Sequence, residues 1–200
     1  MFDMEDESLQ IVTFPHLTLR HKSKPLRRVD TSIRKMVRSM FELMYEVHGI
    51  GLAANQVDLP FRLFVANLVS DPEEGEELVF INPVLSKPKG IEEKDEGCLS
   101  LPELYGPVKR PETIHINAYN LDGDEVEADL SGMAARVIQH ETDHLDGVLF
   151  IDRLSETGTM VAKEAIEEFE NEFKGHRDRG EIPTNEQITQ RLASLEQKYC

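Results

Sequence analysis

Two hundred residues, 40% hydrophobic and 30% charged, suit one soluble domain, or one domain with an appendage, whose core needs no disulfide staples. A net charge of −16 speaks against broad binding to nucleic acid or anionic membrane, and only two cysteines, Cys98 and Cys200, argue against a disulfide scaffold. The longest apolar run, about Leu63 to Ala66, is far short of the ~20 residues of a membrane span, and the acidic opening MFDMEDESLQ carries no secretory or transit pattern, so the cytoplasm is the expected place.

The one dense basic stretch, HKSKPLRR at 21–28, reads as a solvated loop. After it, Asp30 is placed to cap a helix carrying Ile33, Met36, Val37, Met40, Met44 and Val47, apolar positions three and four apart, with Gly49 to end it. A glycine-bearing elbow, GIGLAANQV, leads to expected strands at 62–68 and 78–82 and to a hairpin of 113–119 with 125–129 about Asn120-Leu121-Asp122-Gly123. A second helix is expected from about 130 to 145, capped by Asp129 or Ser131, with Gly147 just past its end. Downstream come an acidic helix at about 157–173, a linker at 175–183 and a shorter helix that opens on a Thr184/Gln187 capping box. Helix, strands, helix and a helical tail make an α+β layout, divided as 1–154 for the catalytic part and 155–200 for an acidic helical C-terminal extension.

The sharpest chemical signal is His140-Glu141-Thr142-Asp143-His144 in the second helix. Residues four apart stand one above the other, so both imidazoles can address one metal ion while Glu141 reaches a water beside it. The bland alternative is a helix with two surface histidines. A catalytic site needs a third protein ligand and one open position, and two kinds of candidate exist. Glu164, Glu167 and Glu168 lie downstream on an evenly acidic helix; Cys98 lies upstream in Glu96-Gly97-Cys98-Leu99-Ser100, where it also reads as a small buried hydrophobe. In Gly49-Ile50-Gly51-Leu52-Ala53-Ala54-Asn55-Gln56 small residues permit close backbone approach and Gln56 offers an amide donor; no dinucleotide fingerprint is present.

Together these three segments resemble, in order and spacing, the signatures of the peptide deformylases. The likeness covers roughly 9–154, including Ile11-Val12-Thr13-Phe14-Pro15 and Leu19-Arg20, and weakens beyond Leu154. It implies an α+β fold with antiparallel or mixed sheets around a central metal-binding helix. It implies that Cys98, His140 and His144 bind one divalent ion per chain, Fe²⁺ expected, with Zn²⁺ or Ni²⁺ able to substitute. Glu141 then acts as general base, and Gln56 and the Leu99 backbone N–H donate to the oxyanion. It implies as substrate an N-formyl-Met peptide lying extended along strand edges, with Gly51 and Gly97 permitting its approach, Glu96 beside it, and Ile50, Leu99, Tyr105 and Val137 as candidates for the apolar methionine pocket. Glu96 and Arg110 either pair to brace the Cys98 loop or form a rim salt bridge worth under ~1 kcal/mol. A transient meeting with the ribosome fits the family's co-translational role; neither sequence-specific nucleic-acid binding nor membrane association is expected. Two rivals remain at this point: a zinc endopeptidase with Glu164 or Glu168 as third ligand, and a metal-stabilised binding module without catalysis.

Overall fold

The computed structural model describes residues 9–200; the acidic opening at 1–8 lies outside the described residues. Helix α1, Thr31–Glu46, begins where Asp30 accepts a hydrogen bond from the Ile33 N–H, and it buries Ile33, Met36, Val37, Met40, Phe41 and Met44. Its end departs from expectation. His48, not Gly49, takes the left-handed conformation (φ 55°), and the Gly49 N–H closes on Met44 O at 2.8 Å; Val47 falls outside the helix, 40% exposed.

Seven strands follow: β1 Gly51–Ala53, β2 Leu63–Ala66, β3 Leu78–Lys89, β4 Glu92–Cys98, β5 Leu101–Arg110, β6 Thr113–Tyr119 and β7 Glu125–Ser131. Five form an antiparallel sheet in the order β1-β2-β3-β6-β7, and β4 and β5 pair separately. The sequence reading missed β1 and the β4–β5 hairpin. In β4 the solvated Glu93, Lys94 and Asp95 hide any apolar alternation. The other expected strands are present, β3 seven residues longer than its expected end at 82.

Helix α2, Gly132–Leu145, lies across the sheet. Ala135, Val137, Ile138 and Leu145 pack with Phe64, Phe80, Ile114 and Ile116, and the Phe64 and Phe80 rings stack at 4.9 Å. Ser131 occupies the N-cap position without a side-chain cap bond. This arrangement is the α+β fold with antiparallel sheets around a central helix.

Helix α3, Glu156–Asp178, runs past the expected linker start, because Gly175 stays helical. Its stripe docks partly: Ala162 is buried, Ala165, Ile166 and Phe169 pack beside Leu101, Leu104 and Phe150, but Met160 is 77% exposed. Helix α4, Asn185–Tyr199, opens on the Thr184/Gln187 capping box. Ile188, Leu192, Leu195 and Tyr199 are all buried, and Leu195 and Tyr199 share one cluster with Ile33, Met40 and Phe61 of the body. The tail's last segment is therefore more than an appendage: its narrow stripe at 188–199 is deep. No helix among the described residues is long and apolar enough to cross a membrane.

Candidate metal centre

Helix α2 turns one face to a cleft of about 720 Å³, and Met133, Val137, His140 and Glu141, at steps of four, three and one, line it. One turn beyond His140 stands His144, whose Nε2 is 3.2 Å from His140 Nε2 and 3.2 Å from Cys98 Sγ. Cys98 arrives from the other sheet, at the end of β4, where the pairing register shifts between Gly97 and Cys98. The three donor atoms lie within 4.8 Å of one another, and no other such group of His, Cys, Asp and Glu occurs among the described residues. Glu164, Glu167 and Glu168 stay exposed on α3 and take no part.

The donors fit a cation. Two imidazole nitrogens bound at ~2.0–2.1 Å to a tetrahedral ion sit roughly 3.3 Å apart, close to the separation found, and a thiolate with two imidazoles is a donor set for zinc or iron. Burial, with His140 and Arg110 close by, holds the His144 imidazole well below its ordinary value, hence neutral and ready to ligate.

Buried charge orients the ligands from behind. Glu96 accepts from Arg110 Nε at 2.6 Å and Arg136 Nη1 at 2.6 Å on one oxygen, and from Arg110 Nη2 at 2.8 Å on the other, which also meets His140 Nδ1 at 3.1 Å. Burial opposes the Glu96 charge, but the bonds from His140 and Arg110 prevail and hold its carboxyl at about 2. A carboxylate on Nδ1 leaves His140 Nε2 as the nitrogen that could face an ion. Arg110 also donates to Asp143 at 2.7 Å, and Asp143 is gripped in turn by Arg153. His144 is fixed through its backbone carbonyl, which accepts from Asn55.

Glu141 is 4% exposed and one carboxylate oxygen has no hydrogen-bond partner among the described residues. Burial pushes its carboxyl up to about 7, against the pull of His140 and Arg110. Gln56 is anchored by Oε1, which accepts from the Ala53 N–H at 2.9 Å, so that Nε2 faces Cys98 Sγ at 3.4 Å and Ser100 Oγ at 3.3 Å. Leu99 lies in the turn that joins β4 to β5, on the cleft wall.

The cleft gathers Ile50, Gly51, Gln56, Glu96, Gly97, Cys98, Leu99, Tyr105, Val137, His140 and Glu141, nearly every residue expected from the sequence. Three expectations need correction. Glu96 has both oxygens taken by Arg110, Arg136 and His140, so it positions a ligand and has little left for substrate. Tyr105 is 70% exposed and stands at the mouth, not in an apolar floor. The glycines make room for protein, not substrate: a Cβ on Gly51 would lie 2.4 Å from Glu141 Oε1, and one on Gly97 2.5 Å from the Tyr105 ring. Arg110 does brace the hairpin, at 2% side-chain exposure, which rules out the alternative of a rim pair. Sequence reasoning missed Arg136 and Asp143. Arg136 was readable as a lone cation one turn before His140 in an otherwise apolar stretch, Ala134 to Ile138.

A helix-borne histidine pair joined by a cysteine sulfur, with a buried glutamate alongside, is the arrangement of a mononuclear metallohydrolase. Comparison with known proteins narrows the class: a family model described as polypeptide deformylase matches residues 8–160. The chain belongs to the polypeptide deformylase family, enzymes that remove the formyl group from N-formylmethionine peptides, and that hydrolysis is its activity. A peptide deformylase of Rhodopirellula baltica is 47% identical over 191 residues, covering 96% of this chain and 95% of the relative. Peptide deformylase 1B, chloroplastic, of Solanum lycopersicum is 40% identical over 184 residues, covering 92% and 65%. Among solved structures, a plant peptide deformylase PDF1B superposes with a TM-score of 0.83 at 37% identity, covering 92% of this chain and 98% of that one. A Synechococcus elongatus peptide deformylase in complex with actinonin gives 0.76 at 36%, covering 82% and 89%.

Proposed function

We propose that deformylation runs here on a single divalent ion held by Cys98 Sγ, His140 Nε2 and His144 Nε2, with Glu141 moving the proton. Bound there, a divalent ion supplies Lewis acidity, which lowers the pKa of water and polarises the formyl oxygen. Glu141 takes a proton from the attacking water and passes it to the amine that departs as formate is freed. Burial, which raises the Glu141 carboxyl, suits it to accept and return a proton. Gln56 Nε2, released from Ser100, and the Leu99 N–H donate to the carbonyl oxygen as it gains charge.

The peptide lies extended between two strand edges, β1 at the margin of the large sheet and β4 at that of the small one, and offers them main-chain hydrogen bonds. Ile50, Leu99 and Val137 receive the methionine side chain, and Tyr105 covers the mouth. Actinonin, bound in the Synechococcus elongatus relative, is expected to compete for the same cleft. Iron(II) is the proposed native ion, on the family likeness of the sequence; the donor set accepts Zn²⁺ and Ni²⁺ as well. A cytoplasmic place and a transient meeting with the ribosome belong to the same proposal, although some plant relatives are named chloroplastic.

The observation that carries this reading is the convergence of one cysteine sulfur and two imidazoles beside a glutamate with an oxygen unpartnered among the described residues. The test is formate release from a formyl-Met peptide, with the acetyl analogue as control. Cys98→Ala should lose metal and turnover together, whereas Glu164→Ala and Glu168→Ala keep both. Full metal content in the Cys98 variant would overturn the ligand assignment.

A further inference from the structure

A second cavity, of about 960 Å³, lies apart from the cleft, enclosed by the segment 9–13, one side of α1, residues 57–59 and the α3–α4 region. Only Ile11 and Thr13 line both, so this short stretch of backbone is the wall between them. The volume is that of a small-molecule site.

The lining has two characters. Met36, Val57, Leu59, Phe173, Ile182 and Tyr199 supply an apolar surface, and Lys35, Arg38, Arg191 and Lys198 supply positive charge. The two carboxylates present, Asp58 and Glu181, are already engaged, the first by Arg191 and Thr18 and the second by Arg179 and His176. Arg38 has no ion-pair partner among the described residues. In a chain of net charge −16, these cations continue a run in which seven Lys and Arg face one Asp between residues 21 and 38.

The independent sign of a ligand is Tyr199. It is 1% exposed, its ring meets Phe61 edge-on at 5.2 Å, and yet its hydroxyl has no hydrogen-bond partner among the described residues. Burying a hydroxyl unpaired is costly, and nothing in the packing of the ring requires one. We propose that this cavity binds a small anion with an apolar body, a carboxylate- or phosphate-bearing amphiphile, whose head meets Arg38 and its neighbouring cations while the body lies on the apolar lining and a polar atom pairs with the Tyr199 hydroxyl.

The test is calorimetric titration of the metal-loaded full chain, its cleft saturated with actinonin, using octanoate, octyl phosphate and octan-1-ol as probes. One octanoate or octyl phosphate should bind per chain, undisturbed by actinonin, with octan-1-ol at least tenfold weaker; the tighter of the two anions identifies the head group. Arg38→Glu should weaken the anions at least tenfold while formate release stays unchanged. Tyr199→Phe should weaken them severalfold at an unaltered melting temperature, a combination that a merely structural tyrosine does not give. Absence of saturable binding, displacement by actinonin, equal binding of octan-1-ol, or wild-type affinity in both variants would each overturn the proposal.

Discussion

Gly51 and Glu141 form a pair in which one residue's missing atom is the other's space. A Cβ on Gly51 would fall 2.4 Å from the Glu141 carboxylate, so Gly51→Ala must push the proposed base aside while leaving Cys98, His140 and His144 in place. A misplacement of about 1 Å costs roughly 10²-fold in rate, and we expect Gly51→Ala to show that loss in kcat with full metal content. Glu141→Ala should also keep its metal and lose ~10²–10⁴-fold. An active Glu141 variant at neutral pH would mean another group takes the proton. The Glu96 cluster behaves differently, because its side chains are buried: Arg110→Met removes two of the four hydrogen bonds to a carboxylate at 5% exposure and should destabilise the fold by about 3–5 kcal/mol in urea titrations. A loss under ~1 kcal/mol would return Arg110 to the rank of a surface partner. The sequence pointed to the proposed ligands and the proposed base because their spacing is set by one helix and one short motif. It could not place Arg136 or Asp143, whose roles depend on strands β4 and β5 lying behind α2.

At the scale of elements, α1 and α2 were legible because their stripes, the Asp30 cap and Gly147 agree. The β4–β5 hairpin was not: Glu92-Glu93-Lys94-Asp95 reads as solvated loop, and pairing with β5 makes it a strand. Helix α4 was visible but misjudged, since the count of apolar residues in a stripe does not give the depth at which it docks. Ile188, Leu192, Leu195 and Tyr199 are all at 5% exposure or less. At ~1.5–3 kcal/mol for each such side chain, their removal rivals a typical total stability of ~5–15 kcal/mol. Deleting 176–200 is therefore expected to leave a chain that is largely unfolded or aggregated at 37 °C by circular dichroism. A truncated form with native melting and turnover would restore the appendage reading.

For the whole molecule, the candidate metal site spans two sheets that share no strand pairing: Cys98 belongs to the two-stranded sheet, while His140 and His144 ride on the helix that covers the five-stranded one. An ion present at a thousand times its dissociation constant adds about 4 kcal/mol to stability, and each kcal/mol moves the melting point of a chain this size by ~2–4 °C. Chelation should accordingly lower melting by roughly 8–16 °C; an unchanged transition would show that the ion binds without fastening the sheets. The edge-on contact between Phe61 and Tyr199 carries a different consequence, one of timing. It closes a loop over most of the chain, so the cluster around α1 has no lid until the last helix has been made. At ~5–20 residues per second, a nascent chain carries the bare faces of Ile33, Met40 and Phe61 for roughly 7–30 seconds after they emerge. Refolding should likewise be slow, set by a long-range closure instead of by the local helices, and the hydrophobic-to-polar change Tyr199→Ser should raise the yield lost to aggregation more than it alters the finished active site.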